Sequence, residues 1–154
     1  QVDTANHDAS LFEINYTYAD RSEGTFAFEA LAPLGDSVVK LTLARTGVSD
    51  GDLAGIVDFL RIEHLDLSRT GIGDAAMAHI AKLENLRVLN LRDTEVTDVG
   101  IQELASLNHL ERVYLWGSEA TSDGAKRLEK RAGEGTVVLG TELGAPPRRL
   151  GPRN

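Results

Sequence analysis

No cysteine occurs in the 154 residues, which excludes disulfides, thiolate zinc sites, thiol nucleophiles and covalent c-type haem on this chain. No apolar run approaches the roughly 18–20 residues that cross a bilayer as a helix. Aromatic residues are scarce at 5%, so a core must be assembled from Leu, Ile, Val and Ala. Basic residues are outnumbered, 16 against 24 acidic, and the resulting net charge of −8 repels a phosphate backbone. That argues against nucleic acid as a partner. What is present is ordinary for a globular protein, with 42% hydrophobic and 26% charged residues, and the length suits one domain. The charge is uneven, because Arg148, Arg149 and Arg153 make the last stretch basic on an acidic body. Such a stretch reads as a docking peptide for an acidic partner or as a solvated tail. The sequence opens at Gln1, and no charged segment followed by an apolar one marks a signal peptide. The expectation is an exported chain already processed, or a fragment of a longer one.

Self-comparison is the informative step. Val38, Leu41, Leu43, Thr46 and Val48 are followed by Leu53, Ile56 and Phe59. The same columns return after 24 residues as Ile62, Leu65, Leu67, Thr70 and Ile72, then Met77, Ile80 and Leu83. They return again as Leu86, Leu89, Leu91, Thr94 and Val96, then Ile101, Leu104 and Leu107. A fourth unit holds Leu110, Val113, Leu115, Ser118 and Ala120, then Ala125 and Leu128. A further step of the same length places Val137 and Leu139 on the strand columns.

Each unit changes period within itself. The L-x-L half alternates as a strand with one buried face. The second half spaces its apolar residues by three, one stripe of a short helix. Asp50, Asp74 and Asp98, with Ser122 in the fourth unit, sit where a side chain caps the free N–H groups of a helix start. One strand and one helix per unit stack into an α/β solenoid, with parallel strands on the concave face and helices on the convex one.

The pattern L-x-x-L-x-L-x-x-T-x-h-x-D, h being apolar, resembles the leucine-rich-repeat family, so the expected fold is a short horseshoe of that kind. It departs from the commonest form by placing Thr46, Thr70, Thr94 and Ser118 where Asn or Cys is usual. A hydroxyl there can still bond backbone groups at the turn, and the ladder reads as structural. Thr94–Gly100 (TEVTDVG) and Val113–Ser118 (VYLWGS) resemble repeats of exported planctomycete proteins, and the arrangement from Leu11 to Gly140 is similar to one subgroup of them. That subgroup forms C-terminal regions of envelope proteins that also carry a c-type cytochrome domain and membrane segments. The resemblance implies periplasmic exposure and a place in a membrane or electron-transfer assembly. This chain has neither haem motif nor membrane segment, so any haem would sit on a partner.

The organisation expected is a flexible lead-in over 1–10, an N-terminal capping unit over 11–37, four repeats over 38–133, and a cap strand with a basic Pro-rich tail over 134–154. In the capping unit Phe12, Ile14, Tyr16 and Tyr18 alternate as a strand, and Phe28, Leu31 and Leu34 form a helical stripe. Its phase is off by one residue, a mismatch assigned to Gly35–Ser37.

Residues between the buried strand positions point to the concave surface. One column holds Lys40, His64, Val88, Arg112 and Thr136, the next Thr42, Asp66, Asn90, Tyr114 and Val138, and a third Ala44, Ser68, Arg92, Trp116 and Gly140. Arg92, Arg112, Tyr114 and Trp116 cluster toward one end, and these residue types dominate binding hot spots. They are the candidate partner-binding residues, with Arg148 and Arg149 as a second anchor. Trp116 has another reading, as a residue covered by the chain's own tail through Pro146 and Pro147.

Chemistry finds little support. His64 and Asp66 share a strand face, but a metal needs a third ligand and the neighbours offer only Asn90 and Lys40. His79 and His109 fall on helix or loop positions, and Met77 occupies a core column. No nucleophile elbow, zinc helix motif or phosphate-binding glycine loop occurs, and Glu134 and Glu142 lie in cap or tail without a pocket. The expectation is a non-enzyme without cofactor or metal, an accessory protein-binding subunit of a bacterial envelope complex. The alternative is a substrate-recognition repeat of a secreted effector or an F-box-like ligase adaptor.

Overall fold

The computed structural model describes residues 12–15 and 28–132, and the backbone of 137–139. The strands are β1 (Phe12–Asn15), β2 (Val38–Thr42), β3 (His64–Asp66), β4 (Val88–Asn90), β5 (Arg112–Tyr114) and β6 (Val137–Leu139). They form one parallel sheet in chain order. From β2 to β5 the register advances by 24 residues per strand, so Leu41, Leu65, Leu89 and Val113 stand side by side. Inter-strand bonds continue past each strand, as in Leu67 N–H to the Asn90 carbonyl (2.9 Å) and Leu91 N–H to the Tyr114 carbonyl (2.9 Å). Every apolar column of the four units is buried except at Ala120, which is half-buried, and together these columns make one continuous core. Met77 lies fully inside it. The fold is the leucine-rich-repeat solenoid that the periodicity predicts. Among the described residues no helix is long and apolar enough to cross a membrane.

The convex side departs from a uniform row of α-helices. The first repeat carries a 3-10 helix, Asp52–Asp58. The next two carry α2 (Asp74–Ile80) and α3 (Asp98–Glu103), the latter running into a 3-10 turn at Leu104–Ser106. The longest is α4, Ser122–Ala132. The apolar spacing by three is the same in all three repeats, at Leu53, Ile56 and Phe59, at Met77, Ile80 and Leu83 and at Ile101, Leu104 and Leu107, so it does not select between the two helix types.

The ends differ from expectation in three places. In the capping unit α1 is only Phe28–Leu31, and a 3-10 helix over Ala32–Ser37 with Pro33 in its first turn leads straight into β2. Phe28 is buried edge-on against Phe59 with ring centres 5.7 Å apart, whereas Leu34 is exposed and not part of a buried stripe. The one-residue mismatch lies in the sheet and not in Gly35–Ser37: Phe12 stands opposite Val38 but Glu13 opposite Lys40, leaving Val39 as the extra residue. At the other end β6 is displaced by one from the expected register. Arg112 faces Val137 and Tyr114 faces Leu139, because the connection through the eleven-residue α4 is one residue longer. The backbone positions opposite Arg112 and Tyr114 are thus Val137 and Leu139, where the 24-residue step expected Thr136 and Val138. The lead-in over 1–10, Tyr16, Tyr18, Gly140 and the tail lie outside the described residues.

The turn after each strand repeats almost without variation. Arg45, Arg69, Asp93 and Gly117 all adopt positive φ, between 54° and 74°. The following hydroxyl closes the turn by donating to the carbonyl three residues back: Thr46 to Leu43 (2.7 Å), Thr70 to Leu67 (2.6 Å), Thr94 to Leu91 (2.7 Å) and Ser118 to Leu115 (2.8 Å). Each hydroxyl thus works within its own repeat.

The link between repeats falls to the aspartates, and here the helix-cap expectation is corrected. Asp50 accepts from the Gly73 N–H at 2.7 Å. Asp74 accepts from the Thr97 N–H (2.8 Å) and hydroxyl (2.7 Å), and Asp98 from the Thr121 N–H (2.6 Å) and hydroxyl (2.7 Å). The caps are instead Thr97 and Thr121, whose hydroxyls accept from the Val99 N–H (3.2 Å) and Gly124 N–H (3.1 Å). Each carboxylate is thereby stapled across 23 residues to the helix start of the next repeat. The glycine of the T-D-x-G phrase has its reason in this staple. A Cβ on Gly100 would collide with the Asp74 carboxylate and stand 2.9 Å from Met77 Cγ, and one on Gly124 would strike the Asp98 carboxylate.

Candidate functional site

Alternation along the strands exposes three rows on the concave face. Column one runs Glu13, Lys40, His64, Val88, Arg112, and column two runs Asn15, Thr42, Asp66, Asn90, Tyr114. The bonds from Arg69 N–H to the Arg92 carbonyl and from Asp93 N–H to the Trp116 carbonyl, both 2.8 Å, carry the register into column three, Ala44, Ser68, Arg92 and Trp116. Arg112 and Arg92 are exposed, and Tyr114 and Trp116 half-buried. All four candidate residues within the described chain therefore share the open face of the sheet, Arg112 and Tyr114 on β5 and Arg92 and Trp116 in the turns that follow β4 and β5. Arg148, Arg149, Pro146 and Pro147 lie outside the described residues, and with them the second anchor and the covering of Trp116 by the tail.

The electrostatics divide this face in two. On the N-terminal side Lys40 pairs with Glu13 at 3.3 Å, and Asp66 accepts from the Ser68 N–H at 2.9 Å. On the C-terminal side Asn90 takes the place of Asp66, accepting from the Arg92 N–H at 3.2 Å, and the charges are the two arginines. Elsewhere arginines meet carboxylates: Arg69 with Asp93 (3.2 Å), Arg127 with Asp98 (3.5 Å), and Arg87 with Glu111 (2.6 Å) and Glu63 (3.5 Å). The hydrogen bond and charge of Glu111 raise the Arg87 guanidinium further above its ordinary value. Among the described residues neither Arg92 nor Arg112 has a carboxylate partner.

Hollows lie beside the sheet among the described residues. One of about 180 Å³ lies on the concave face among Lys40, Thr42, His64, Asp66, Asn90 and Tyr114. It joins Tyr114 to residues of the middle strands, a continuity that column spacing alone did not reveal. A wider one of about 480 Å³ lies at the edge where the strands begin, around Arg87, Glu63, Glu111 and His109. His64 and His109 are exposed and His79 half-buried on α2. Among the described residues no three His, Asp or Glu side chains gather as a metal site.

Residues 62–81 and 82–105 match the family model of the leucine-rich repeat. No curated protein is similar in sequence. Among solved structures, internalin C2 of Listeria monocytogenes superposes with a TM-score of 0.58 at 19% identity, covering 71% of this chain and 46% of that one. A second Listeria monocytogenes internalin gives 0.57 at 17% identity, over 70% of this chain and 30% of its own. A leucine-rich-repeat protein of Leptospira interrogans gives 0.56 at 18% identity, over 82% and 36%. The chain spans less than half the length of each of these structures. At such identities the shared property is the fold, a short leucine-rich-repeat solenoid.

Proposed function

We propose that this chain is a non-catalytic protein–protein interaction module that serves as an accessory subunit of a bacterial envelope membrane or electron-transfer complex. The observation that carries the reading is the open sheet face on which Arg92 and Arg112, without a carboxylate partner among the described residues, accompany half-buried Tyr114 and Trp116. Aromatic and arginine side chains of this kind supply most of the energy of protein interfaces. A periplasmic location rests on the resemblance of the TEVTDVG and VYLWGS repeats to exported planctomycete proteins. In that setting any haem or membrane-spanning segment lies outside these 154 residues, and Arg148 and Arg149 act as a second anchor.

The test is recovery of partners from gently solubilised envelope membranes, comparing the tagged chain with a variant carrying Tyr114→Ala and Trp116→Ala. The expected outcome is stoichiometric recovery of a cytochrome or other membrane subunit that the double variant loses while its circular dichroism is unchanged. Recovery that survives the substitutions removes the surface from the reading. Recovery of soluble proteins alone removes the envelope complex.

A further inference from the structure

We infer that the partner lays an extended acidic peptide segment across the C-terminal half of the concave face, an inference that rests on the reading of this face as the binding surface. The charge distribution carries it. On the N-terminal side of the same face Lys40 has a carboxylate partner in Glu13, and Arg69, Arg87 and Arg127 are paired elsewhere on the solenoid. Arg92 and Arg112 have none among the described residues, and both stand on the one surface from which the packed helices are absent.

Their placement selects the shape of the ligand. Arg112 lies two residues before Tyr114 on β5, whereas Arg92 lies level with Trp116, two residues after Tyr114, as the Leu91 and Asp93 N–H bonds to the Tyr114 and Trp116 carbonyls fix. The arginines thus fall on opposite sides of Tyr114 along the strand direction. Between them the separation is that of about four strand residues, roughly 13 Å, and one strand spacing of about 4.8 Å. Carboxylates four residues apart on an extended peptide match that backbone separation. The hollow of about 180 Å³ beside Tyr114, with Asn90, His64, Thr42, Lys40 and Asp66 on its walls, continues the track toward the middle of the sheet. It offers hydrogen-bonding groups to the peptide's own backbone.

The experiment uses a random dodecapeptide library displayed on phage and selected against the full chain, an Arg92→Glu/Arg112→Glu variant, and a Tyr114→Ala/Trp116→Ala variant. All three are checked by circular dichroism. The wild-type chain is expected to enrich peptides with two or more Asp or Glu residues, and the charge-reversed variant to lose them. For a synthesised winner, each single reversal should weaken binding about tenfold, with further weakening as salt rises. Enrichment of uncharged or basic peptides that still depend on Tyr114 and Trp116 overturns the acidic segment while leaving the surface in place. Peptides indifferent to all four substitutions overturn both the segment and the surface. A wild-type chain that enriches nothing overturns the segment, since the site as described is open and needs no second subunit to be formed.

Discussion

The turn after each strand and the open face of the sheet are neighbours on the same backbone, yet their sequences behave in opposite ways. At the turn the positive-φ residue and the hydroxyl return in all four repeats, and the aspartate in three of them accepts from the backbone N–H 23 residues on. On the face a column such as Thr42, Asp66, Asn90 and Tyr114 has nothing in common but its exposure to one side. The turn solves a problem that every repeat shares, satisfying buried backbone groups and fixing the next repeat. The face has no such internal demand, so its residues are free to follow an external one.

That contrast makes graded expectations. The largest effect belongs to the shared interior: Leu89→Ala, at a fully buried position, should cost about 2–5 kcal/mol in a denaturant titration. Gly100→Ala pushes a methyl group into the Asp74 carboxylate and toward the Asp74 Cα at 3.0 Å, and should cost about 1–3 kcal/mol. A loss as small as that of an ordinary surface change would show that the staple does not hold the repeats together.

Acid should act on the same staple. Burial alone would raise the Asp98 carboxyl, but the Thr121 N–H and hydroxyl, with Arg127 beside them, bring it below its ordinary value of 3.8. A carboxyl depressed in the folded state contributes stability above its unfolded value, and that contribution is lost as pH falls through the folded one. Melting temperatures measured from pH 6 downward should therefore fall most steeply below that ordinary value, and Asp98→Asn should flatten the last part of the curve. The smallest effect on stability belongs to the face: Trp116→Ala should change unfolding by less than about 1 kcal/mol while removing partner binding. A large destabilisation would move Trp116 from the recognition surface to the structural framework.

Much of this was legible before any coordinates, because apolar columns in phase over several repeats leave one way to bury them. The arginines without a carboxylate partner were legible too, by a rule that the register supplies. Side chains 24 residues apart are neighbours, so Arg69 finds Asp93 and Arg87 finds both Glu63 and Glu111, whereas Arg92 finds Ser68 and Trp116. The role of the aspartates was not legible. A helix cap and a staple to the next repeat call for the same residue at the same place, and only the position of Thr97 and Thr121 one residue earlier decides between them. The shift at β6 was hidden for a different reason, since Val137, Val138 and Leu139 are all apolar and fit either register.

The staples also give the molecule a mechanical character. Each joins only adjacent repeats, so tension applied at the two ends passes through them in series and loads them all equally. The weakest link then sets the strength of the whole, and the first, where Gly73 offers Asp50 an N–H and no hydroxyl, holds by one bond instead of two. A chain pulled apart in this way should lengthen in steps of one repeat, about 80 Å of extended backbone each.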